Sequence, residues 1–273
     1  MTCSGIAADR FTVQEIYAKT DRDGLRFDDE LRRIGYLGDA ANRPLPAAAY
    51  IELHIEQGPV LETAGKPVGI VGGIVGITWS EVTIQGQADH AGPSPMHLRH
   101  DALTAAAHVI ARVERLAIEQ DDTAVATVGR LSIAPNIINT IPGRAVFSVD
   151  FRHRDPAVLD LQVNRLRNIV HQISQERGVD GQVNRFWTSE PTPFDPTVVG
   201  AIRSACQALG LAEHELWSGA GHDAKYVADV SPAGMIFIRS QGGFSHCETE
   251  QSSDEDLIAG ANVLLLATME LAG

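Results

Sequence analysis

The order of strand-like and helix-like segments in the middle of the chain constrains the fold most. Apolar residues spaced three and four apart predict two amphipathic helices, and short runs with β-branched or aromatic residues predict strands between and around them. In chain order the segments are a strand over 78–85, a helix over 99–119, strands over 124–133 and 145–152, a helix over 156–177 and a strand over 179–187. This β-α-β-β-α-β order is typical of a ferredoxin-like α+β module.

The segments on either side predict a second domain built from both ends of the chain. A glycine-rich apolar run over 68–77 is typical of a buried strand or a junction. The Ser-Glu-Pro-Thr-Pro segment over 189–193 indicates a second junction. We therefore expect an α/β domain made of residues 1–76 and 190–273, with the α+β module inserted over 77–189.

Composition excludes several classes of partner. The 273 residues carry 22 basic and 35 acidic side chains, a net charge of −13. Such a charge argues against nucleic acid or an anionic membrane as the main partner. No run approaches the roughly 18 apolar residues of a membrane-spanning helix. Cys3, Cys206 and Cys247 are odd in number and widely spaced, which indicates reduced thiols and a cytoplasmic protein rather than a disulfide framework.

Four of the ten histidines lie in local sequences that could build a ligand site. Each is surrounded by small, loop-forming or acidic residues, where the backbone can approach a ligand closely: His54, His90, His222 and His246. A neutral imidazole is a common ligand of zinc and similar ions. Taken singly, however, such a histidine is more often a hydrogen-bonded structural group than a ligand.

Other catalytic patterns are absent or weak. His54 is not part of a His-Glu-x-x-His helix, because the residues around it are predicted to form a strand. The chain has neither a phosphate-binding loop nor a Gly-x-Ser-x-Gly nucleophile turn. Cys247 next to His246 leaves a cysteine hydrolase as an alternative, although neighbours in sequence rarely align as a catalytic dyad.

Five segments, taken together and in order, carry a resemblance to one enzyme family. They are His54-Ile-Glu-Gln-Gly-Pro59; Asp89-His-Ala-Gly-Pro-Ser-Pro-Met96 with Arg99 and Asp101-Ala-Leu103; Pro135-Asn-Ile-Ile-Asn-Thr-Ile-Pro-Gly143 with Asp150-Phe-Arg152; Ser218-Gly-Ala-Gly-His-Asp223; and Gly243-Phe-Ser-His-Cys-Glu248. Over essentially its whole length the chain resembles the M20-type metal-dependent amidohydrolases. The branch is that of the N-carbamoyl-L-amino-acid hydrolases, allantoate amidohydrolases and β-ureidopropionases. The resemblance implies a zinc-exopeptidase-like α/β catalytic domain, with the inserted ferredoxin-like module as a lid and dimerisation domain.

The resemblance also implies which residues bind substrate. Gln57, Asn139 and Arg152 would hold it, with Arg152 and Asn139 on its carboxylate, a task for which a planar guanidinium is suited. His90 and His222 would be catalytic, contacting the carbamoyl group and stabilising the developing oxyanion. His90 would act across a homodimer, from the lid of one subunit into the site of the other.

For the metal, the resemblance implies a dinuclear site in which His54 binds one ion and His246 the other. Zinc, manganese, cobalt and nickel all accept such ligands. Members of this branch also carry an earlier Gly-Ser-His-x-Asp motif, a bridging Asp and a Glu-Glu pair that supplies a general base, and this chain contains none of them. We therefore expect the chain to correspond to the C-terminal part of the catalytic domain, about a hundred or more residues short, with an incomplete metal site.

The implied reaction of the full-length protein is metal-dependent hydrolysis of the carbamoyl C–N bond of an N-carbamoyl-L-amino acid, in class EC 3.5.-. Allantoate and β-ureidopropionate are the alternative ureido substrates, because a single change in a pocket can redirect substrate choice. A general base contributes typically ~10²–10⁴-fold to the rate, so we expect this chain alone to be inactive. The alternative from another class is a non-catalytic dimerising fragment.

Overall fold

Two main β-sheets organise the chain, of which the computed structural model describes residues 2–39 and 46–273. The α-helices are α1 (Thr2–Ala7), α2 (Val13–Tyr17), α3 (Phe27–Arg33), α4 (Val60–Ala64), α5 (Ala102–Ile118), α6 (Pro156–Arg177), α7 (Pro196–Ala208), α8 (Ala224–Val227) and α9 (Asp254–Ala272). The strands are β1 (Tyr50–Ile55), β2 (Val68–Ile74), β3 (Gly76–Gln85), β4 (Asp89–His90), β5 (Val125–Thr127), β6 (Leu131–Ala134), β7 (Thr140–Ile141), β8 (Arg144–His153), β9 (Asp180–Ser189), β10 (Thr192–Pro193), β11 (Glu215–Ser218) and β12 (Ala233–Ile238). Contacts divide them into two units, one of residues 2–39, 46–74 and 192–273 and the other of Val75–Pro191.

The first unit is built on a sheet with the strand order β1-β12-β2-β10, in which β11 also pairs with β2. Strand β1 runs parallel to β12, and β12 runs antiparallel to β2. Every residue of β12 is buried, and β2 is buried at all but one position. Helices α7 and α9 pack against one face through residues such as Ile202 and Val263, while Leu61 and Phe194 pack against the other. Burial on both faces explains why β2 and β12 are continuous apolar runs.

The glycines of β2 allow large side chains to lie directly on the strand. A Cβ at Gly69 would come within 2.5 Å of Leu216 Cδ2. A Cβ at Gly73 would come within 2.6 Å of both the Thr192 carbonyl oxygen and the Trp217 ring. The interpretation of the glycine-rich run as a buried strand is therefore confirmed over Val68–Ile74, and the next strand begins at Gly76.

The second unit has the predicted β-α-β-β-α-β order. Its sheet runs β5-β8-β3-β9, with β6 also paired to β8, and this is the strand order of a ferredoxin-like fold. Helices α5 and α6 share a core with the sheet, in which Val82, Phe147 and Leu166 are fully buried. Helix α6 spans the predicted residues, beginning at Pro156 and ending before Gly178, which takes the left-handed conformation at a φ of 64°.

Strands β3, β8 and β9 differ from their predicted bounds by one or two residues, and two other elements differ more. Helix α5 begins at Ala102 rather than at 99, because the Asp101 side chain accepts the Thr104 N–H and so caps the helix there. The strand predicted over 124–133 is two strands, β5 and β6. Their register on β8 shifts by one residue between Thr127↔Asp150 and Leu131↔Phe147, which is the signature of a bulge.

Other expectations from composition can also be compared with the structure. In the described part of the chain, no helix is both long and apolar enough to cross a membrane. Cys3, Cys206 and Cys247 form no disulfide. Cys206 is buried, whereas Cys3 and Cys247 are exposed.

Candidate metal centre

Three side chains that can bind a metal converge in the first unit. Glu52 and His54 are two residues apart on β1, so their side chains leave the same face of the strand. His222 joins them from the segment just before α8. One ligand atom of each residue lies within 4.8 Å of the others. The centroids of the His54 and His222 rings are 4.5 Å apart. Their placement brings two imidazoles and one carboxylate to a single point.

Hydrogen bonds determine which ring nitrogens carry a lone pair. Nδ1 of His54 lies 2.8 Å from the carbonyl oxygen of Ile55 and must donate to it, which leaves the lone pair on Nε2. The Ser218 hydroxyl donates to the Ala220 carbonyl, so it accepts from Nε2 of His222 at 2.9 Å. The lone pair of His222 is therefore on Nδ1. Metal-binding histidines are commonly oriented by such a bond through the other ring nitrogen.

Glu52 is held by its own set of donors. Its Oε2 accepts the Ala224 backbone N–H at 2.8 Å and the Tyr50 hydroxyl at 3.2 Å. Its Oε1 lies 3.8 Å from Nδ1 of His222, which is too long for a hydrogen bond. Burial and the negative charge of Glu52 raise the pKa of the Tyr50 hydroxyl above its usual range, so it remains a donor. Oε1 thus faces Nδ1 of His222.

The charges of the cluster suit a divalent cation. Burial, and secondly the nearby His54, lower the pKa of His222 to about 4, so the ring is neutral at pH 7. Two neutral imidazoles and a carboxylate are donors that zinc, manganese, cobalt and nickel all accept. Three protein ligands leave coordination positions for substrate and water. The residues therefore fit the divalent metal that the resemblance implies.

Glu52 was missed in the sequence analysis, although a signal for it exists. It lies two residues before His54 in a segment already predicted to be a strand, and side chains at that spacing share a face. An acidic residue at that position was therefore a candidate neighbour of the metal ligand. That His222 is a third member could not be inferred in this way, since it lies far away in sequence.

Gln57 and His246 form a neighbouring group. Both adopt left-handed backbone conformations, at φ values of 60° and 57°, which are uncommon for residues other than glycine. The Gln57 backbone N–H donates to Ser240 Oγ and its Nε2 donates to Ser245 Oγ, each at 3.0 Å. Nε2 of Gln57 also lies 3.5 Å from Nε2 of His246. His246 is exposed and stands beside Gln57, outside the cluster of Glu52, His54 and His222.

A second carboxylate belongs to this group. The Ser245 hydroxyl and the His246 backbone N–H donate to Glu250, and these bonds, together with the nearby His246 and His54 rings, lower the pKa of its carboxyl. Glu250 is therefore an anion close to both predicted metal ligands. The sequence analysis did not single it out, because an exposed acidic residue after Cys247 resembles an ordinary surface residue.

In the second unit, His90 and Asn139 lie side by side on a small ribbon. Strands β4 and β7 pair through His90↔Thr140, and the Ala91 N–H donates to the Asn139 carbonyl at 2.9 Å. The Gly92 N–H donates to Nδ1 of His90 at 3.0 Å, so the ring proton is on Nε2. Both side chains are exposed. His90 thus presents an N–H donor at the surface of the ribbon.

Arg152 lies on the larger sheet of the second unit, near the end of β8. Strand β8 runs from Arg144 to His153, and β3 pairs with it from Gln85↔Arg144 to Ile77↔Arg152. The His90 ribbon follows the Gln85 end, where the Gly86 N–H donates to the Gly143 carbonyl. Eight residues of strand separate Arg144 from Arg152, which is about 26 Å at ~3.3 Å per residue. His90 and Asn139 of one chain are therefore far from Arg152 of that chain.

Comparison with known proteins agrees with this fold. The profile of Peptidase family M20/M25/M40 matches residues 34–270 of the chain. Because this match covers most of the sequence, the protein belongs to the M20 peptidase family. A solved amidase of the hydantoinase/carbamoylase family from Burkholderia multivorans superposes with a TM-score of 0.94 at 42% identity, covering 99% of this chain and 66% of that one.

Several similar curated proteins are named as amidohydrolases. An N-carbamoyl-L-amino-acid amidohydrolase of Rhizobium meliloti is 40% identical over 272 residues, which are 100% of this chain and 65% of that protein. An allantoate amidohydrolase of Escherichia coli (strain K12) is 35% identical over 256 residues, 92% of this chain and 62% of the relative. The chain thus spans somewhat less than two thirds of the relatives it matches.

Proposed function

We propose that the protein takes part in the metal-dependent hydrolysis of the carbamoyl C–N bond of an N-carbamoyl-L-amino acid. The observation that carries this proposal is the convergence of Glu52, His54 and His222 in a chain of the M20 family. The substrate class is supported by the names of relatives at 38–41% identity. Allantoate is the alternative substrate, supported by the relative of that name at 35% identity.

Glu52, His54 and His222 would hold one divalent ion. Such an ion supplies Lewis acidity that polarises the carbamoyl carbonyl. Two features of the chain prepare the ligands for this ion. Hydrogen bonds keep the protons of His54 and His222 on the ring nitrogens that do not bind the ion. The Ala224 backbone N–H holds the carboxylate of Glu52. His246 remains the ligand that the resemblance implies for a second ion, with Gln57 next to it as a contact for substrate.

The roles of the two predicted catalytic histidines are different in this proposal. A residue that stabilises an oxyanion must donate a proton to it. Nε2–H of His222 already donates to Ser218 and its Nδ1 carries a lone pair, so His222 is suited to bind the metal. Nε2–H of His90 is directed by the Gly92 contact to Nδ1. We therefore assign the oxyanion contact to His90 alone.

The dimensions of the second unit support a site shared between two copies. An N-carbamoyl amino acid is only a few bonds long, whereas Arg152 lies about 26 Å along β8 from Arg144, at the end of the strand where the His90 ribbon begins. If both contact one substrate, they come from different copies of the chain. On the same argument, we propose that Asn139 and Arg152 of one chain contact different substrate molecules. We propose a homodimer through this unit, in which Arg152 binds the carboxylate and the partner's His90 and Asn139 complete the site.

The proposal is tested by cation and substrate binding to the 273-residue chain. We expect manganese to bind, N-carbamoyl-L-leucine to bind only when manganese is present, and His54→Ala to abolish both. His171→Ala, on the exposed face of α6, is the matched control and should behave like the wild type. Substrate binding that ignores both manganese and the His54→Ala change would contradict the proposal.

Release of ammonia from N-carbamoyl-L-leucine is the second readout. We expect this chain alone to release little or no ammonia. A general base contributes typically ~10²–10⁴-fold to the rate, and the chain lacks the Glu-Glu pair that the resemblance implies for that role. In addition, the described residues place no second metal-binding triad beside the first. Ammonia release that His54→Ala abolishes would show that the residues present suffice for turnover. That result would overturn the expected inactivity while supporting the proposed reaction.

A further inference from the structure

Asp150 accepts hydrogen bonds from both the guanidinium of Arg152 and the indole of Trp79. Asp150 Oδ1 accepts from Nε of Arg152 at 3.0 Å, and Asp150 Oδ2 accepts from Nη2 at 2.8 Å. The same Oδ2 accepts the indole N–H of Trp79 at 2.9 Å. The carboxylate is therefore bidentate to the arginine and is itself fixed from the other side by the tryptophan.

The sheet explains why these three residues meet. Asp150 and Arg152 are two residues apart on β8 and share one face of the strand. Trp79 is the direct cross-strand partner of Asp150 on β3. Trp79 in turn lies against Trp187 of β9, with ring centroids 4.5 Å apart. The contacts thus form a row across β9, β3 and β8 that ends at the guanidinium.

From this row we infer that Asp150 and Trp79 are positioning residues for Arg152, which they hold in the orientation that binds the carboxylate of an N-carbamoyl-L-amino acid. The inference rests on the proposed function, in which Arg152 binds that carboxylate. A free arginine side chain samples many rotamers, and a bidentate carboxylate selects the plane of the guanidinium. The Arg152 side chain is 32% exposed and that of Asp150 is 22% exposed. The pair is therefore accessible to a ligand, while partial burial limits the rotamers of the two side chains.

A second carboxylate–arginine pair on the same sheet lacks the tryptophan contact and can serve as a control. Glu81 lies two residues beyond Trp79 on the same strand and pairs with Arg130 at 2.8 Å. That arginine is 61% exposed, and the structure gives its carboxylate partner no indole donor. Glu81→Gln therefore removes a carboxylate–arginine contact from the same sheet without touching the row, and it serves as the matched control.

The experiment compares two probes that differ only in the carboxylate. Binding of N-carbamoyl-L-leucine and of N-carbamoyl-L-leucinamide to the 273-residue chain is measured by calorimetry with manganese present. We expect the wild type to prefer the acid. Trp79→Phe, which changes no charge, should reduce affinity for the acid about threefold to tenfold, as expected for one lost hydrogen bond, and leave affinity for the amide unchanged. Asp150→Asn should act in the same direction, and Glu81→Gln should have no effect.

A spectroscopic readout separates positioning from general loss of structure. The Nε–H signal of Arg152 in ¹⁵N NMR, assigned by its disappearance in Arg152→Lys, should be slow to exchange in the wild type and broadened in Asp150→Asn. Thermal unfolding of each variant reports whether the fold persists. A variant that unfolds at the wild-type temperature but loses the preference for the acid supports positioning.

The outcomes distinguish this inference from the function on which it rests. If the wild type shows no preference for the acid, or keeps it in Arg152→Gln, the assignment of the carboxylate to Arg152 is wrong and the positioning role is overturned with it. If Arg152→Gln removes the preference while Trp79→Phe and Asp150→Asn both retain it, the proposed function survives. In that case only the positioning role of Asp150 and Trp79 is overturned.

Discussion

Nδ1 of His222 and Oε1 of Glu52 face each other at 3.8 Å, and no hydrogen bond joins them. The proton of His222 is on its other nitrogen, which donates to Ser218, so both facing atoms are acceptors. Two acceptors at this distance repel unless a cation lies between them. The relationship is the physical reason for expecting a metal ion beside His54.

The first prediction concerns the ligands of that ion. Replacement of a ligand removes a coordinate bond, so Glu52→Gln, His54→Ala and His222→Ala should each lower the affinity for manganese or cobalt at least about tenfold. Equilibrium dialysis measures the affinity, and the visible spectrum of bound cobalt reports the coordination number. His171→Ala is the control. Wild-type affinity in Glu52→Gln and His222→Ala would contradict the three-residue site.

A second prediction concerns His246, which the resemblance implies as the ligand of a second ion and which lies outside the triad of Glu52, His54 and His222. His246 stands beside Gln57 rather than in the triad, so His246→Ala should leave the first manganese ion in place. The number of ions bound per chain, from dialysis at increasing manganese, is the measurement. If His246→Ala lowers the affinity as much as His54→Ala, then His246 shares the first ion and the proposed ligand set is wrong.

Two glycine replacements should shift stability in opposite directions. At Gly73 of β2 a methyl group would meet backbone and the Trp217 ring at 2.6 Å, so Gly73→Ala should lower the free energy of unfolding by about 1–3 kcal/mol. At Gly200 in α7 a Cβ meets nothing within 4 Å, so Gly200→Ala should raise it by about 0.5–1 kcal/mol. Urea unfolding measures both. Equal changes in the free energy of unfolding for the two replacements would mean that a side chain at Gly73 does not clash with Thr192 and Trp217.

The ion pair between Arg239 and Asp256 tests whether the loss of a buried ion pair costs more stability than the loss of an exposed one. Nε and Nη2 of Arg239 each lie 3.0 Å from the Asp256 carboxylate, whose side chain is 1% exposed. Arg239→Ala leaves that carboxylate buried without its cation and should cost about 3 kcal/mol of unfolding free energy. Arg203→Ala, which breaks the exposed pairs with Glu213 and Glu215, should cost under about 1 kcal/mol. A smaller loss for Arg239→Ala than for Arg203→Ala would refute the argument from burial.

The thiols should differ in reactivity. Burial raises the pKa of Cys206 to about 11, and only the thiolate reacts with iodoacetamide. At pH 8 the folded protein should therefore label at the exposed Cys3 and Cys247, and Cys206 should label only after unfolding. Mass spectrometry of peptides after timed labelling checks this, and any labelling of folded protein at Cys206 should increase with pH up to about 11. Rapid labelling of Cys206 at pH 8 would show that it is accessible.

Much of the second unit could be predicted from local sequence. Helix α6 follows from its apolar periodicity, from Pro156 in its first turn and from Gly178 after its end, all of which act over a few residues. The bulge between β5 and β6 could not be predicted, because it depends on the register of both strands against β8. Alternation within one strand indicates which residues face the core, but it does not say which residue of the partner strand lies opposite each of them.

The sequence by itself determined which residues were candidates, and local motifs singled out His54, His90, His222 and His246. Only the tertiary structure decided their grouping. The Ala224 N–H reaches Glu52 across 172 residues, and this contact depends on the pairing of β1 with β12 and the placement of α8 beside them. Secondary structure and caps are set by interactions within a turn or two, whereas a site is set by which faces of distant elements pack together. That physical difference explains why the motifs were visible in the sequence and the triad of Glu52, His54 and His222 was not.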